Sequence, residues 1–182
     1  MPVRPIVRLG HPALRTPALP VPPGRIAEPE IQALIDDMVE TMREANGVGL
    51  AATQVGEGAQ LFVYQAAGPP EIPLHVVINP LLTPQAREMS YDWEGCLSIP
   101  DLRGLVPRHP RVRVQGLDRE GRPLDYEVTG FEARIVQHEY DHLNGVVFLD
   151  RMRDLKTLAF FDEWEEYLVR HSPRDLDDTA VG

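Results

Sequence analysis

The stretch "RVRVQGLDREGRPLDYEVTGFEARIVQHEYDHLNG", residues 111–145, changes its hydrophobic period halfway along. In the first half Val112 and Val114 alternate with polar residues, Asp118 to Gly121 turn the chain, and Leu124, Tyr126 and Val128 alternate back. A period of two on both sides of a turn predicts a β-hairpin. The second half predicts a helix from about Gly130 to Asn144-Gly145, a pair suited to the left-handed backbone that ends helices. The same signals recur upstream. "QLFVYQ" (60–65) and "HVVINPLL" (75–82) are short apolar runs and read as strands. "EPEIQALIDDMVETMREANG" (28–47) carries Ile31, Leu34, Ile35, Met38, Val39 and Met42 at helical spacing. Pro29 suits its first turn, and Gly47 the position just past its C-cap. A third helix is predicted over residues 155–169, with Leu155, Leu158, Phe161, Trp164 and Leu168 as its stripe. Strands lie apart from helices, without strand–helix–strand alternation, which argues an α+β fold.

The chain has 182 residues, enough for one domain with a real core. The expected division is a single catalytic domain over residues 1–171 and a short, polar, disordered tail over 172–182. Residues 1–27 are Pro-rich and are expected to run extended over the domain. The net charge of -10, with no basic face, argues against direct nucleic-acid binding. No run of 18 apolar residues is present, so no membrane span is expected. No apolar segment follows the N-terminus, so no secretory signal is read. Arg4, Arg8, Arg15 and Arg25 precede the first acid, Glu28, as in an organellar transit peptide. Seven prolines in the first 23 residues forbid the amphipathic helix such a peptide needs. The expected setting is the cytoplasm.

His138 and His142 stand at i and i+4 of the predicted second helix, so they project from one face about one turn apart. That is the spacing a single metal ion needs from two imidazoles. Glu139 emerges on a neighbouring side, where it can take a proton from water instead of binding the ion. The bland alternative is an exposed histidine pair, which Ile135, Val136 and Leu143 argue against because they suggest a buried helix. A hydrolytic centre usually has three protein ligands. One completion would need a histidine three residues beyond Gly145, where the chain has Phe148. A second would use Glu163, Glu165 or Glu166, which read more naturally as a solvated face.

The third candidate is Cys96 in "WEGCLSIP", a segment that reads as a strand edge or loop. A thiolate is a good ligand for a transition metal, although a lone cysteine is more often a small buried hydrophobe. Next to an unfinished pair of histidines, the ligand reading is the stronger. "GVGLAATQVG" (47–56) has little side-chain bulk, so something approaches its backbone. Packing accounts for Ala51 and Ala52; it accounts less well for Gln54, a long amide among small residues.

Together these stretches resemble the peptide deformylase family, whose signatures match here at "GVGLAATQ" (47–54), "EGCLS" (94–98) and "QHEYDH" (137–142). The likeness extends over roughly residues 4–155. It implies mostly antiparallel β-sheets around a central helix carrying the histidines, with an N-terminal and a C-terminal helix. It implies removal of the formyl group from N-formylmethionine on nascent polypeptides. It further implies Cys96, His138 and His142 as ligands of one divalent ion, most often Fe2+. Zn2+, Ni2+ or Co2+ also suit such a donor set. Glu139 is then the base, and the formyl oxygen is met by the Leu97 backbone N–H and the Gln54 side chain. Gly49 is expected to hydrogen-bond the substrate backbone. Val48, Phe131 and Ile135 are expected to wall the methionine pocket, with Arg134 either capping it or turning to solvent. Arg103 is a candidate for substrate carbonyls, and Asp141 or Gln137 for holding loops around the ligands. The substrate brings the enzyme to the ribosome transiently, yet Asp162, Glu163, Glu165 and Glu166 make the C-terminal helix a poor RNA contact. Two rival readings are a zinc endopeptidase using Glu163 or a neighbour, and a non-catalytic binding protein on the same scaffold.

Overall fold

The computed structural model describes residues 2–169; the expected tail lies outside them. In chain order the elements are α1 (Pro29–Glu44), β1 (Gly49–Ala51), β2 (Leu61–Ala66), β3 (Ile72–Pro84), β4 (Ser90–Cys96), β5 (Ile99–Arg108), β6 (Arg111–Leu117), β7 (Pro123–Thr129), α2 (Gly130–Leu143), α3 (Phe148–Arg151), β8 (Ala159–Phe160) and α4 (Phe161–Glu163). Five strands form an antiparallel sheet in the order β1-β2-β3-β6-β7, and β4-β5-β8 form a second. The hairpin read from sequence is β6–β7, in register from Arg111–Thr129 to Leu117–Pro123.

Strand β2 is apolar over Leu61–Val63 because both of its faces are covered. Leu61 and Val63 join Ile35, Met38 and Met42 of α1 in one cluster. Phe62 and Tyr64 join Ala133, Ile135, Val136 and Leu143 of α2 in another. The central helix therefore lies against the large sheet on one side. A third cluster, of Cys96, Ile99, Val106, Val147 and Phe148, links the smaller sheet to the chain just after α2.

Three expectations need correction. Helix α1 begins at Pro29 as read, but its left-handed exit is Asn46, at φ 52, and not Gly47. Asparagine tolerates this region because its short side chain can hydrogen-bond locally. The N-terminal segment is interrupted by single 3-10 turns at Pro12–Leu14 and Pro23–Arg25, each opened by a proline at its first position. The third helix does not start at Leu155. Residues Leu155–Thr157 form a 3-10 turn, and Ala159 and Phe160 pair with Arg103 and Leu102 at the edge of β5. Helical structure begins only at Phe161 and continues as a π-type turn over Trp164–Leu168. Leu155 is correspondingly exposed.

Candidate metal centre

Thr129 precedes α2 in extended conformation, and Gly145, at φ 74, ends the turn that follows it. Between them the helix presents His138 and His142 on one face, their Nε2 atoms 3.2 Å apart. The β4–β5 hairpin brings in the sulfur. Its tight turn is Leu97-Ser98, so Cys96 is the last residue of β4, with Sγ 3.2 Å from His142 Nε2. The ligand atoms of Cys96, His138 and His142 all lie within 4.8 Å of one another. His142 is fully buried, and only 11% of the His138 side chain is exposed.

The donor set suits a divalent transition ion: one thiolate and two imidazole nitrogens aimed at a common point. His138 is held for that task from behind, its Nδ1 being 2.9 Å from Glu94 Oε2. A carboxylate there keeps the proton on Nδ1 and leaves the Nε2 lone pair facing the cluster. The completing glutamates of the endopeptidase reading, Glu163, Glu165 and Glu166, are exposed. Phe148, at the position where another histidine motif would place a ligand, instead stacks beside His138 at a centroid separation of 6.4 Å.

Glu139 is buried, and its Oε2 has no hydrogen-bond partner among the described residues. Burial pushes its carboxyl up to about 7; the nearby His138 opposes the rise and Glu94 adds to it. Its other oxygen lies so close to Gly49 that a Cβ there would come within 2.3 Å of Oε1. This is the close approach that the small residues of segment 47–56 anticipated. Gln54 is turned into the site by the backbone three residues earlier: Oε1 accepts from the Ala51 N–H at 2.9 Å. That leaves Nε2 free to reach Ser98 Oγ at 3.3 Å and Cys96 Sγ at 3.6 Å.

A cavity of about 420 Å³ opens onto this cluster. Val48, Gly49, Gln54, Leu97, Ile135 and Glu139 line it. Ile135 is a buried wall, whereas Val48 and Phe131 are 40% and 45% exposed and form its rim. Arg134 does not turn to solvent; it is among the residues that line the cavity. It is buried, donating to Glu94 Oε1 and to the carbonyls of Val106 and Ser90. Arg103 lies over Gly95 at the cavity's edge, with its guanidinium 4.7 Å from the Phe161 ring centroid. Gln137 holds the chain at His109 through two hydrogen bonds, and Asp141 accepts from Arg108 and Arg151.

Sequence reasoning missed Glu94 and Arg108. Glu94 accepts two bonds from Arg108, one from Arg134 and one from His138. Burial alone would raise its carboxyl, but the hydrogen bonds and charges of His138 and Arg108 more than offset this and hold it far below the ordinary range. Arg108 stays charged despite burial because Glu94 and Asp141 flank it. One signal was available: on a strand over 90–96, Glu94 and Cys96 point to the same face.

The sequence profile of the family described as Polypeptide deformylase matches residues 3–158. Peptide deformylase 1 of Nitrosomonas europaea is 45% identical over 166 residues, covering 88% of this chain and 93% of the relative. A class I type b peptide deformylase from Acinetobacter baumannii, solved with Met-Ala-Ser bound, superposes with a TM-score of 0.80 at 38% identity, covering 83% of this chain and 99% of that one. A peptide deformylase from Synechococcus elongatus in complex with actinonin gives 0.77 at 41% identity, covering 85% and 81%.

Proposed function

The chain belongs to the polypeptide deformylase family, and on that premise we propose how its residues remove the formyl group from N-formylmethionine at the start of new polypeptides. Cys96, His138 and His142 would hold one divalent ion, and Fe2+ is the ion we assign. When bound, such a cation makes water acidic enough to lose a proton near neutral pH and polarises a carbonyl oxygen. Glu139 takes the proton of the attacking water; its unpaired buried oxygen is free to do so. The oxygen adds to the formyl carbon. Gln54 Nε2 and the Leu97 N–H donate to the formyl oxygen as it gains charge, a contribution of about 3 kcal/mol per donor. Glu139 then delivers the proton to the methionine nitrogen as the C–N bond breaks, leaving formate and a free amine.

Gly49 offers its backbone to the peptide. Ile135, with Val48 and Phe131 at the rim, receives the methionine side chain. A relative that holds Met-Ala-Ser supports a methionine-first peptide as the occupant. Residues 1–171 form one catalytic domain in this proposal. The nascent chain is met transiently at the ribosome, in the cytoplasm, and the acidic residues Asp162 to Glu166 are not the RNA-facing surface. Among the described residues no helix is long and apolar enough to cross a membrane.

The single observation that carries the proposal is the convergence of Sγ and two Nε2 atoms beside a buried carboxylate with one unpaired oxygen. The test is formate release from formyl-Met-Ala-Ser by the iron-loaded enzyme. Wild type should turn over, and Glu139→Gln should lose about 10²–10⁴-fold in kcat while keeping its metal. Cys96→Ala should lose the metal. A variant that retains metal without the thiol would favour the endopeptidase arrangement instead.

A further inference from the structure

The N-terminal segment makes two main-chain contacts with the site that none of the roles above uses. The Val7 N–H donates to the Gln54 carbonyl at 2.9 Å, and the Leu9 N–H donates to the Ser98 carbonyl at 2.9 Å. Gln54 lies on the 3-10 turn that follows β1 of the large sheet, while Ser98 lies in the β4–β5 turn of the small one. Among the described residues no strand ladder connects those two turns. The direct links between them, from Gln54 Nε2 to Ser98 Oγ and Cys96 Sγ, are 3.3 and 3.6 Å long.

We infer that the backbone of residues 7–9 is a positioning staple: it ties the Gln54 turn to the Cys96–Ser98 turn and so sets the spacing between the Gln54 amide and the Leu97 N–H. Alternate residues of an extended segment put their N–H groups on one side, about 7 Å apart, which suits a bridge between neighbouring turns. The staple is anchored on both flanks. Before it, the Arg4 N–H donates to Thr41 Oγ1, and the Arg4 side chain pairs with Asp37 and Glu57. After it, Arg15 pairs with Asp150, and the Ala18 N–H donates to the Leu143 carbonyl, one residue beyond His142. Leu9 itself is 43% exposed, so its side chain adds little to the core and its contribution lies in the backbone.

This inference rests on the proposed pair of donors to the formyl oxygen, and Leu9 allows a clean test of it. The turn Arg8–His11 is closed by the His11 N–H on the Arg8 carbonyl, with Gly10 at φ 106 in its third position. Turns of that kind accept proline at the second position, where Leu9 stands. Leu9→Pro therefore deletes one N–H with little disturbance, and Leu9→Ala removes the side chain but keeps the N–H. A backbone ester at Leu9 is the second way to delete the donor, should the proline variant fold poorly.

With formyl-Met-Ala-Ser, Leu9→Ala should stay within about twofold of wild type. Leu9→Pro and the ester should lose about tenfold in kcat with KM nearly unchanged, as expected for misplaced transition-state donors. Amide hydrogen exchange in peptides spanning residues 94–100 should quicken in both, and not in Leu9→Ala. An active wild type whose proline and ester variants keep full kcat would overturn the staple alone. A wild type that releases no formate would overturn the deformylase reading beneath it.

Discussion

Glu139 and Glu94 are both buried glutamates beside His138, yet their surroundings push them in opposite directions. Glu139 keeps one oxygen unpaired and its carboxyl rises to about 7. Glu94 is surrounded by donors and is held ionised. The first arrangement suits proton transfer and the second suits orientation. Because the folded state depresses the Glu94 carboxyl, its stabilising contribution is complete above its ordinary value of 4.5 and is lost as pH falls toward the folded value. Melting temperature measured against pH should therefore fall below pH 4.5 more steeply in wild type than in Glu94→Gln. Gly49 sets a second condition on Glu139. Gly49→Ala would force a methyl into the Glu139 carboxylate, displacing the proposed base. It should lower kcat by about tenfold or more with metal content unchanged, as steady-state kinetics and metal analysis would reveal.

Among the elements, α1 shows how local pattern becomes tertiary structure. Ile35, Met38 and Met42 are almost wholly buried against the face of β2 that carries Leu61 and Val63. That face points away from the ligand helix. Ile35→Ala should cost about 2–5 kcal/mol in denaturant unfolding, with kcat of the remaining folded enzyme near wild type. The segment from Leu155 shows the opposite outcome. Its apolar residues recur at helical spacing, but β5 offers a free edge, and Ala159-Phe160 add to it as a strand before any helix forms. Period alone does not reveal such an edge, because it is built by residues some 57 positions away.

The candidate metal centre joins parts of the fold that also meet through buried hydrogen bonds of Glu94, Arg108 and Arg134. His138 and His142 belong to the helix on the large sheet, and Cys96 to the hairpin of the small one. A bound ion would cross-link them, so its removal should loosen the union. Chelation should lower the melting temperature of the wild-type enzyme and leave that of Cys96→Ala unchanged, in scans with and without chelator. Arg108 is the second tie, spanning Glu94 of β4 and Asp141 of α2. Arg108→Leu removes the cation shared by two buried carboxylates, leaving Glu94 with Arg134 and His138 and Asp141 with Arg151, and should destabilise the fold by about 3 kcal/mol in denaturant unfolding.

Much of the chemistry was legible along the chain because it depends on neighbours in sequence. The i, i+4 histidines, the glutamate between them and the β6–β7 hairpin are set by helix pitch or strand alternation, and the small residues around Gln54 show by their lack of bulk. What folding alone settled were partnerships across long separations: Glu94 lies 44 residues from His138, and Arg108 lies 33 from Asp141. Charges in a sequence carry no record of which opposite charge they will be buried against. Only packing, which removes water and places donors within hydrogen-bond reach of acceptors, makes Glu94 a support for His138 and leaves Glu139 free.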